Sequence, residues 1–286
     1  MSDEIGAVVD VVAATAPEIR DGLADRRAYA EGQNPSGERQ LAADIYADEL
    51  LCERLLDVDA VGSYASEERD AVVDGGDGRL HVACDPLDGS SNLRSNNAMG
   101  TVFGVYEAPL PAPGSALVAA GFVLFGPITT MVIARDGRVR EWVLDGEDGE
   151  DGDRRLLDED LALPAEPTVY GFGGRVSEWT DAFAAYADRV AGELKLRYGG
   201  AMLGDVTQVL TYGGIFGYPG LRDRPEGKLR LLFEAHPVAH VVETAGGASS
   251  DGERSLLELT PERLHERTPL FVGDPGYVDD LEAALN

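Results

Sequence analysis

Lysine is almost missing from this chain of 286 residues: only Lys195 and Lys228 are present, and its other basic residues are arginines. Histidine is held to His81, His236, His240 and His265, without the clustered spacing of a zinc site. His236 and His240 stand four apart, but Pro237 lies between them and no third ligand is near, so no metal role is assigned to them. Two cysteines, Cys52 and Cys84, cannot form a disulfide framework in a chain this long, and both are read as buried core thiols in a reducing compartment. Trp142 and Trp179 are read as packing residues. No run of 18 uncharged apolar residues occurs, which argues against a membrane span. The acidic start Met1-Ser2-Asp3-Glu4 has no apolar signal core, so the expected location is the cytoplasm.

Positive charge is scarce as a whole, with 24 Lys and Arg against 52 Asp and Glu, a net charge of −28. A phosphate backbone or an anionic membrane needs a positive face, so neither is an expected partner. Excess charge of one sign also opposes compaction in dilute buffer. At molar salt the Debye length falls to roughly 3 Å and that repulsion is screened. The composition therefore predicts adaptation to a salt-rich cytoplasm. The melting temperature is expected to rise between dilute and molar KCl; a flat or falling series would contradict the reading.

What is present is a core and a set of oxygen ligands. Hydrophobic residues make up 44% of the chain, enough for a packed interior. Helical spacing of Ile5, Val8, Val9, Val12, Ile19 and Leu23 predicts a helix over 3–23, and Leu41, Ile45, Leu51 and Leu55 predict a second, carrying Asp44. Residues 30–38 are turn-rich and read as a mobile loop. Strands are expected at 80–84, 101–106, 116–125, 128–134 and 139–144, the last three joined by hairpins. The acidic, glycine-rich run 145–160 reads as a solvated loop rather than a metal site, with a lobe boundary just after it.

Beyond that run the pattern alternates. It predicts strand 167–172, a helix over 177–191 capped by Ser177, strand 194–198, helix 202–211 and strand 214–218. It then predicts strand 228–234, helix 238–245 ended by Gly246-Gly247, a helix opened by Thr260-Pro261, strand 269–272 and a final helix to Leu285. Strands and helices mixed in this way suit an α+β or α/β layered sandwich. The expected domains are an N-terminal lobe, 1–163, and a C-terminal lobe, 164–286.

The chemistry concentrates in Asp85-Pro86-Leu87-Asp88-Gly89-Ser90-Ser91-Asn92. Two carboxylates flank a proline at a strand end, so they can converge on one point. Oxygen-only ligands suit Mg²⁺ or Mn²⁺. Gly89-Ser90-Ser91 then opens a turn whose backbone N–H groups can receive a phosphate. Upstream, Ser66-Glu67-Glu68 sets two acids side by side, an arrangement that needs a cation if it is buried. Downstream, a strand over Gly227–Glu234 would put Lys228, Arg230 and Glu234 on one face.

Together with Arg197-Tyr198-Gly199-Gly200-Ala201-Met202 and Tyr212-Gly213-Gly214-Ile215-Phe216-Gly217-Tyr218-Pro219, these segments resemble class I fructose-1,6-bisphosphatases, members of the metal-dependent, lithium-sensitive sugar and inositol phosphatase superfamily. The resemblance runs in order from about residue 37 to the C-terminus. It implies an α-β-α-β-α sandwich with mixed sheets, and Mg²⁺-dependent hydrolysis of the 1-phosphate of fructose 1,6-bisphosphate, a step of gluconeogenesis. By the same resemblance Glu67, Asp85, Asp88 and Glu234, with the Leu87 carbonyl, are metal ligands, and Glu38 is a loop acid toward a further metal. The implied count is two or three ions, with Mn²⁺ as an alternative. Glu68 and Asp44 are the implied pair that activates the attacking water, with Asp88 also in the catalytic set. Gly89, Ser90, Ser91 and Arg230 are implied to hold the 1-phosphate and Met202 to meet the sugar ring. Tyr198, Tyr218 and Lys228 are implied to hold the 6-phosphate. Arg197 is implied to reach a neighbouring subunit's site, so a homo-oligomer, dimer or tetramer, is expected.

Three departures accompany the resemblance. The stretch Tyr170–Arg175 lacks the asparagine and tyrosine that relatives bring to the 6-phosphate, with Arg175 as a candidate substitute. Arg94 stands where many relatives carry an acid. Arg79, Leu80 and Glu107 stand where animal relatives bind the inhibitor AMP through basic residues and a tyrosine, so inhibition by AMP is expected to be weak or absent. Sedoheptulose-1,7-bisphosphatase activity uses a closely similar site and stays open. The segment Phe233-Glu234-Ala235-His236-Pro237 differs from the Trp-Asp-x-x-Ala pattern of inositol monophosphatase-like enzymes, the next alternative. A non-catalytic sugar-phosphate binder would need the ligands without Glu68 and Asp44.

Overall fold

The computed structural model describes residues 2–30, 33–35, 37, 39–144 and 154–286; Glu38 and residues 145–153 of the acidic run lie outside these. Apolar spacing makes the first helix: α1 (Ser2–Gly22) buries Ile5, Val8, Val12, Ala16 and Ile19 along one face. In α2 (Ala42–Leu56) the buried residues Ala43, Ala47, Leu51 and Leu55 recur every four positions. The same period sets Asp44 and Asp48 one turn apart, both buried.

The larger sheet is built from β1 (Val61–Ser66), β2 (Val73–Asp74), β3 (Leu80–Asp88), β4 (Met99–Tyr106), β5 (Leu117–Phe125), β6 (Thr129–Arg135), β7 (Arg138–Leu144) and β8 (Arg154–Asp158). Among the described residues its order is β2-β1-β3-β4-β5-β6-β7-β8. Only β1 and β3 pair in parallel; the other neighbours are antiparallel. The smaller sheet joins β9 (Val169–Phe172), β10 (Lys195–Leu196) and β11 (Gly214–Tyr218) in parallel, while β15 (Leu270–Gly273) pairs antiparallel with β11 and with β13 (Ala248–Ser250). A short ladder of β12 (Leu229–Arg230) with β14 (Arg267–Thr268) stands apart.

Three buried clusters show how these elements stack. Val8, Val12, Leu51 and Leu55 from the first two helices meet Val82, Phe103 and Val123 on one face of the larger sheet. On its other face Val102, Phe122 and Val132 meet α4 (Met202–Tyr212) and α5 (His236–Thr244), through Leu203, Val206, Val238 and Val242, with Phe216 and Val272 of the smaller sheet beyond. The outer side of the smaller sheet is covered by α3 (Asp181–Glu193) and α6 (Pro275–Leu285), where Phe183, Val190, Val278 and Leu281 pack on Phe172, Ile215 and Phe271. The result is the α-β-α-β-α sandwich with mixed sheets. Among the described residues no helix is long and apolar enough to cross a membrane.

Several expected elements are corrected. The strand expected over 228–234 is only two residues long; Leu231–Ala235 winds into a wide helical turn that runs into α5. Glu234 curls back to accept the Arg230 backbone N–H at 2.6 Å, which a straight strand would forbid. The third helix begins at Asp181, not near Ser177, because the Thr180 side chain accepts the Phe183 N–H and caps it. Thr260-Pro261 opens no helix among the described residues; the nearby turn is Leu256–Glu258, capped by Ser255. The end of the acidic run, Arg154–Asp158, is an exposed edge strand rather than loop. Cys52 and Cys84 are buried free thiols.

Candidate active site

The ligand segments arrive at one place because three parallel or adjacent chain ends point to it. β3 carries Asp85 and Asp88 at its exit, with its register against β4 shifted between them. Pro86 sits in that irregularity, where a missing N–H breaks no ladder bond. β1 runs parallel beside β3, so its end, Ser66, delivers Glu67 and Glu68 next to Asp85. The turn after β12 brings Glu234 from the opposite side.

One carboxylate oxygen each of Glu67, Asp85 and Glu234 lies within 4.8 Å of the others, and all three residues are buried. Asp88 is buried beside them and accepts the Leu203 N–H at 2.9 Å. Such crowding is costly without positive charge. Burial pushes Asp85 well above the carboxylate range, with the Glu67 charge adding to it. Burial, and then the neighbouring acid, raises Asp88 to about 7 beside Glu234 and Glu234 to about 7 beside Glu67. Positive charge comes from Arg230, whose Nη2 stands 2.8 Å from Glu67 Oε1, and from Lys228, which opposes the rise at Asp88 and Glu234. A donor set made only of carboxylate oxygens fits a hard divalent ion such as Mg²⁺ or Mn²⁺ and does not fit zinc. The Leu87 N–H donates to Asp85 Oδ1 at 2.9 Å, bending the chain around that carboxylate.

Behind the cluster sit the two acids expected to handle a proton. Asp44 accepts the Leu41 N–H at 2.6 Å, and burial raises it to about 6. Glu68 accepts from the Gln40 side-chain amide; burial raises it to about 7 against that hydrogen bond, with the Asp44 charge adding to the rise.

The phosphate cradle is fixed by a glycine. Gly89 has φ +73°, and a Cβ there would lie 2.3 Å from the Ala201 Cβ. No side chain is tolerated on either count. The tight turn Ser90–Ser95 follows, held by Asn92 N–H to the Gly89 carbonyl at 2.8 Å. Asn92 also donates its side-chain amide to the Gly199 carbonyl at 3.1 Å, joining the cradle to the 197–202 loop. At the far end the Tyr198 and Tyr218 hydroxyls are 3.1 Å apart and Lys228 Nζ lies 5.1 Å from the Tyr218 ring.

Asp44, Glu67, Glu68, Asp85, Leu87, Asp88, Gly89, Ser90, Ser91, Met202, Tyr218, Lys228, Arg230 and Glu234 all line one cavity of about 260 Å³. Tyr198 touches it only through Tyr218, and Arg197 is exposed away from its lining. Arg175 is an exposed residue paired with Glu178 at 2.8 Å and does not reach the cavity. Arg79 is paired on the surface with Glu4 and Glu107. Sequence reasoning missed Asn34, whose amide donates to Glu67 Oε1 at 3.3 Å, and Gln40 on Glu68. It also missed Asp48, which ties α2 to the Glu67-Glu68 segment through Arg69 at 2.7 Å and the Tyr64 hydroxyl at 3.1 Å. Its spacing of four from Asp44 was the available signal. Asp205, buried and raised to about 6 by burial, accepts the Gly199 N–H at 2.6 Å and was likewise missed.

Comparison with known proteins gives consistent matches. Residues 7–151 match the family model for the fructose-1-6-bisphosphatase N-terminal domain, and residues 163–286 the model for its C-terminal domain. A class 1 fructose-1,6-bisphosphatase of Natronomonas pharaonis is 69% identical over 286 residues, covering all of both chains. One of Haloarcula marismortui is 58% identical over 279 residues, covering 98% of this chain and 94% of its own. The crystal structure of Leishmania major fructose-1,6-bisphosphatase in holo form superposes with a TM-score of 0.91 at 29% identity, covering 99% of this chain and 94% of that one.

Proposed function

The chain belongs to the class 1 fructose-1,6-bisphosphatase family, whose reaction is the hydrolysis of fructose 1,6-bisphosphate to fructose 6-phosphate and inorganic phosphate in gluconeogenesis, and we propose that the residues lining the cavity carry out that reaction here. The observation that carries the assignment of roles is the meeting of three buried carboxylates within 4.8 Å beside the Gly89 turn. Family members depend on a metal. Glu67, Asp85, Asp88 and Glu234, with the Leu87 carbonyl, would hold two or three Mg²⁺ ions, or Mn²⁺ in their place. When bound, such ions neutralise phosphoryl oxygens and make water more acidic.

The chain's own groups do the rest. The Gly89–Ser91 turn and Arg230 hold the 1-phosphate. Met202 meets the sugar. Tyr198, Tyr218 and Lys228 hold the 6-phosphate, supported by the short spacing of the two hydroxyls and the ammonium over the ring. Glu68 and Asp44, both raised toward neutrality by burial, take the proton of the attacking water. Glu38 is proposed as a further loop acid. The lobes are proposed as 1–163 and 164–286, the setting as cytoplasmic, and the assembly as a dimer or tetramer. The exposed Arg197 supports this last point, since a residue that serves a neighbour's site must face outward.

Phosphate release at molar KCl tests the reading, with fructose 1,6-bisphosphate, sedoheptulose 1,7-bisphosphate, inositol 1-phosphate and fructose 6-phosphate in parallel, each with and without Mg²⁺. Mg²⁺-dependent release from the first, well above the last two, is expected. Preference for inositol 1-phosphate would overturn the assignment. AMP added to the same assay is expected to inhibit weakly or not at all. Arg79 is already shared between Glu4 and Glu107, which sets two carboxylates where a phosphate would bind. Strong inhibition at micromolar AMP would contradict this.

A further inference from the structure

A cationic cluster on the lip of the cavity has no part in the roles assigned above. Tyr29 and Arg39 both line the cavity, and the Arg39 guanidinium lies 4.0 Å from the Tyr29 ring centre. The Arg94 guanidinium lies 5.4 Å from the same ring. Arg94 lies in the last turn of the tight segment Ser90–Ser95 that begins with Ser90 and Ser91, so it stands at the outer edge of the phosphate cradle. Arg27 Nη2 donates to the Arg94 carbonyl at 2.7 Å. All four side chains are exposed. No ion pair joins Arg39 or Arg94 to an acid among the described residues.

The platform is tied to the catalytic helix. Tyr29 bridges Leu41, with Ala30 N–H to the Gln40 carbonyl at 2.9 Å and Ala42 N–H to the Ala28 carbonyl at 3.0 Å. The same short ladder therefore sets Tyr29, Arg39 and the start of α2, where Asp44 sits. Stacking on an aromatic face uses the flat side of a guanidinium and leaves its N–H edge available to an oxyanion. One ring thus braces two cationic forks beside a cavity whose interior is crowded with carboxylates.

Charge arithmetic says why such a lip is useful. The chain carries a net −28, and its substrate is a highly charged anion. In molar salt attraction beyond roughly 3 Å is screened, so long-range steering contributes little. Positive charge then has to act in contact, and a bidentate guanidinium–phosphate pair is a strong contact that side chains can supply.

We propose that Arg39 and Arg94, braced on Tyr29, form an anion-receiving gate that takes a phosphate of the incoming sugar bisphosphate by direct contact before it passes to the Gly89–Ser91 cradle. The inference rests on the sugar-bisphosphatase reading of the cavity.

The test is initial-rate kinetics on the Arg39→Gln/Arg94→Gln double variant at molar KCl with saturating Mg²⁺, with product inhibition by inorganic phosphate measured alongside. The expected result is a KM for fructose 1,6-bisphosphate raised about tenfold while kcat changes less than twofold. Arg39→Lys/Arg94→Lys should recover part of the loss, and Tyr29→Leu should raise KM in the same direction by removing the brace. A double-variant KM within twofold of the parent overturns the gate, as does a fall in kcat with KM unmoved. If only phosphate inhibition weakens and KM holds, the cluster serves the departing product and the proposal fails. Wild-type protein inactive on the bisphosphate would remove the underlying reading, an outcome separate from any of these. The single variant Arg94→Gln, on an exposed turn, keeps the test open should the double variant fold poorly; a KM raised about threefold is expected of it, and no change counts against the gate.

Discussion

Asp88→Ala is expected to lower turnover of fructose 1,6-bisphosphate by at least about 10³-fold while the protein stays folded. The side chain is buried in the carboxylate cluster and faces the cavity, and alanine offers no oxygen in its place. Losing a ligand removes charge stabilisation worth several kcal/mol in the transition state, and each 1.36 kcal/mol is a factor of ten. Two effects on the fold nearly offset each other. The Leu203 N–H, 2.9 Å from Asp88 Oδ2, loses its acceptor, which costs about 1–3 kcal/mol. Against that, a carboxylate pushed up to about 7 by burial and by Glu234 is gone, and its neighbours relax. The metal-free variant should therefore melt within a few degrees of the parent. The separating measurement is the response to Mg²⁺. At a hundredfold excess over Kd the parent should gain about 2.7 kcal/mol, roughly 4–5 °C for a chain of this size. Asp88→Ala should lose most of that shift. Turnover within tenfold of the parent would remove Asp88 from the ligand set.

The same cluster fixes a pH dependence. Glu68, Asp88 and Glu234 are each raised to about 7 in the folded chain, chiefly by burial. A carboxyl raised in this way holds its proton more tightly folded than unfolded. Its contribution to stability is complete below the unfolded value near 4 and is lost as pH climbs through the folded one. Metal-free protein in molar KCl should thus lose melting temperature between about pH 4 and pH 7, and Mg²⁺ should flatten that decline.

How far the sequence discloses this site depends on the distance over which each signal acts. The Asp85–Asn92 string is contiguous, so its carboxylates and its turn glycine are legible together. The layered sandwich is legible because α1, α4 and the hairpins of β5 to β7 keep clean periods. β1 escapes notice because Val61–Ser66 is buried on both faces and so shows no alternation. The turn after β12 is misread for a related reason: Leu231-Leu232-Phe233 is a short apolar run, and a buried strand and a buried helical turn then look alike. Asn34 and Gln40 reach the acids, and Asp48 reaches Arg69 just beyond them, by tertiary contact from segments whose local pattern says only loop or helix.

Glu68→Gln keeps the shape of the site and removes one proton acceptor, so it isolates chemistry from assembly. A turnover lower by about 10²–10⁴ is expected, the usual worth of a positioned base. The Mg²⁺-induced rise in melting temperature should survive, because Glu68 is not among the proposed ligands. That contrast with Asp88→Ala distinguishes a base from a ligand in one pair of assays. Folding should tolerate the change: the Glu68 backbone N–H keeps its bond to Ser66 Oγ at 3.1 Å, and a neutral amide relieves the repulsion from Asp44 and Asp48. Asp44→Asn should act in the same direction, since Asp44 lies on the same cavity wall and is raised to about 6. If the two acids pass one proton along a single route, the first substitution already breaks it. The double variant should then fall little below the worse single, as groups that act as a unit do. A double variant whose loss equals the product of the two single losses would instead mean that the acids act independently, with Asp44 contributing by a route that does not pass through Glu68.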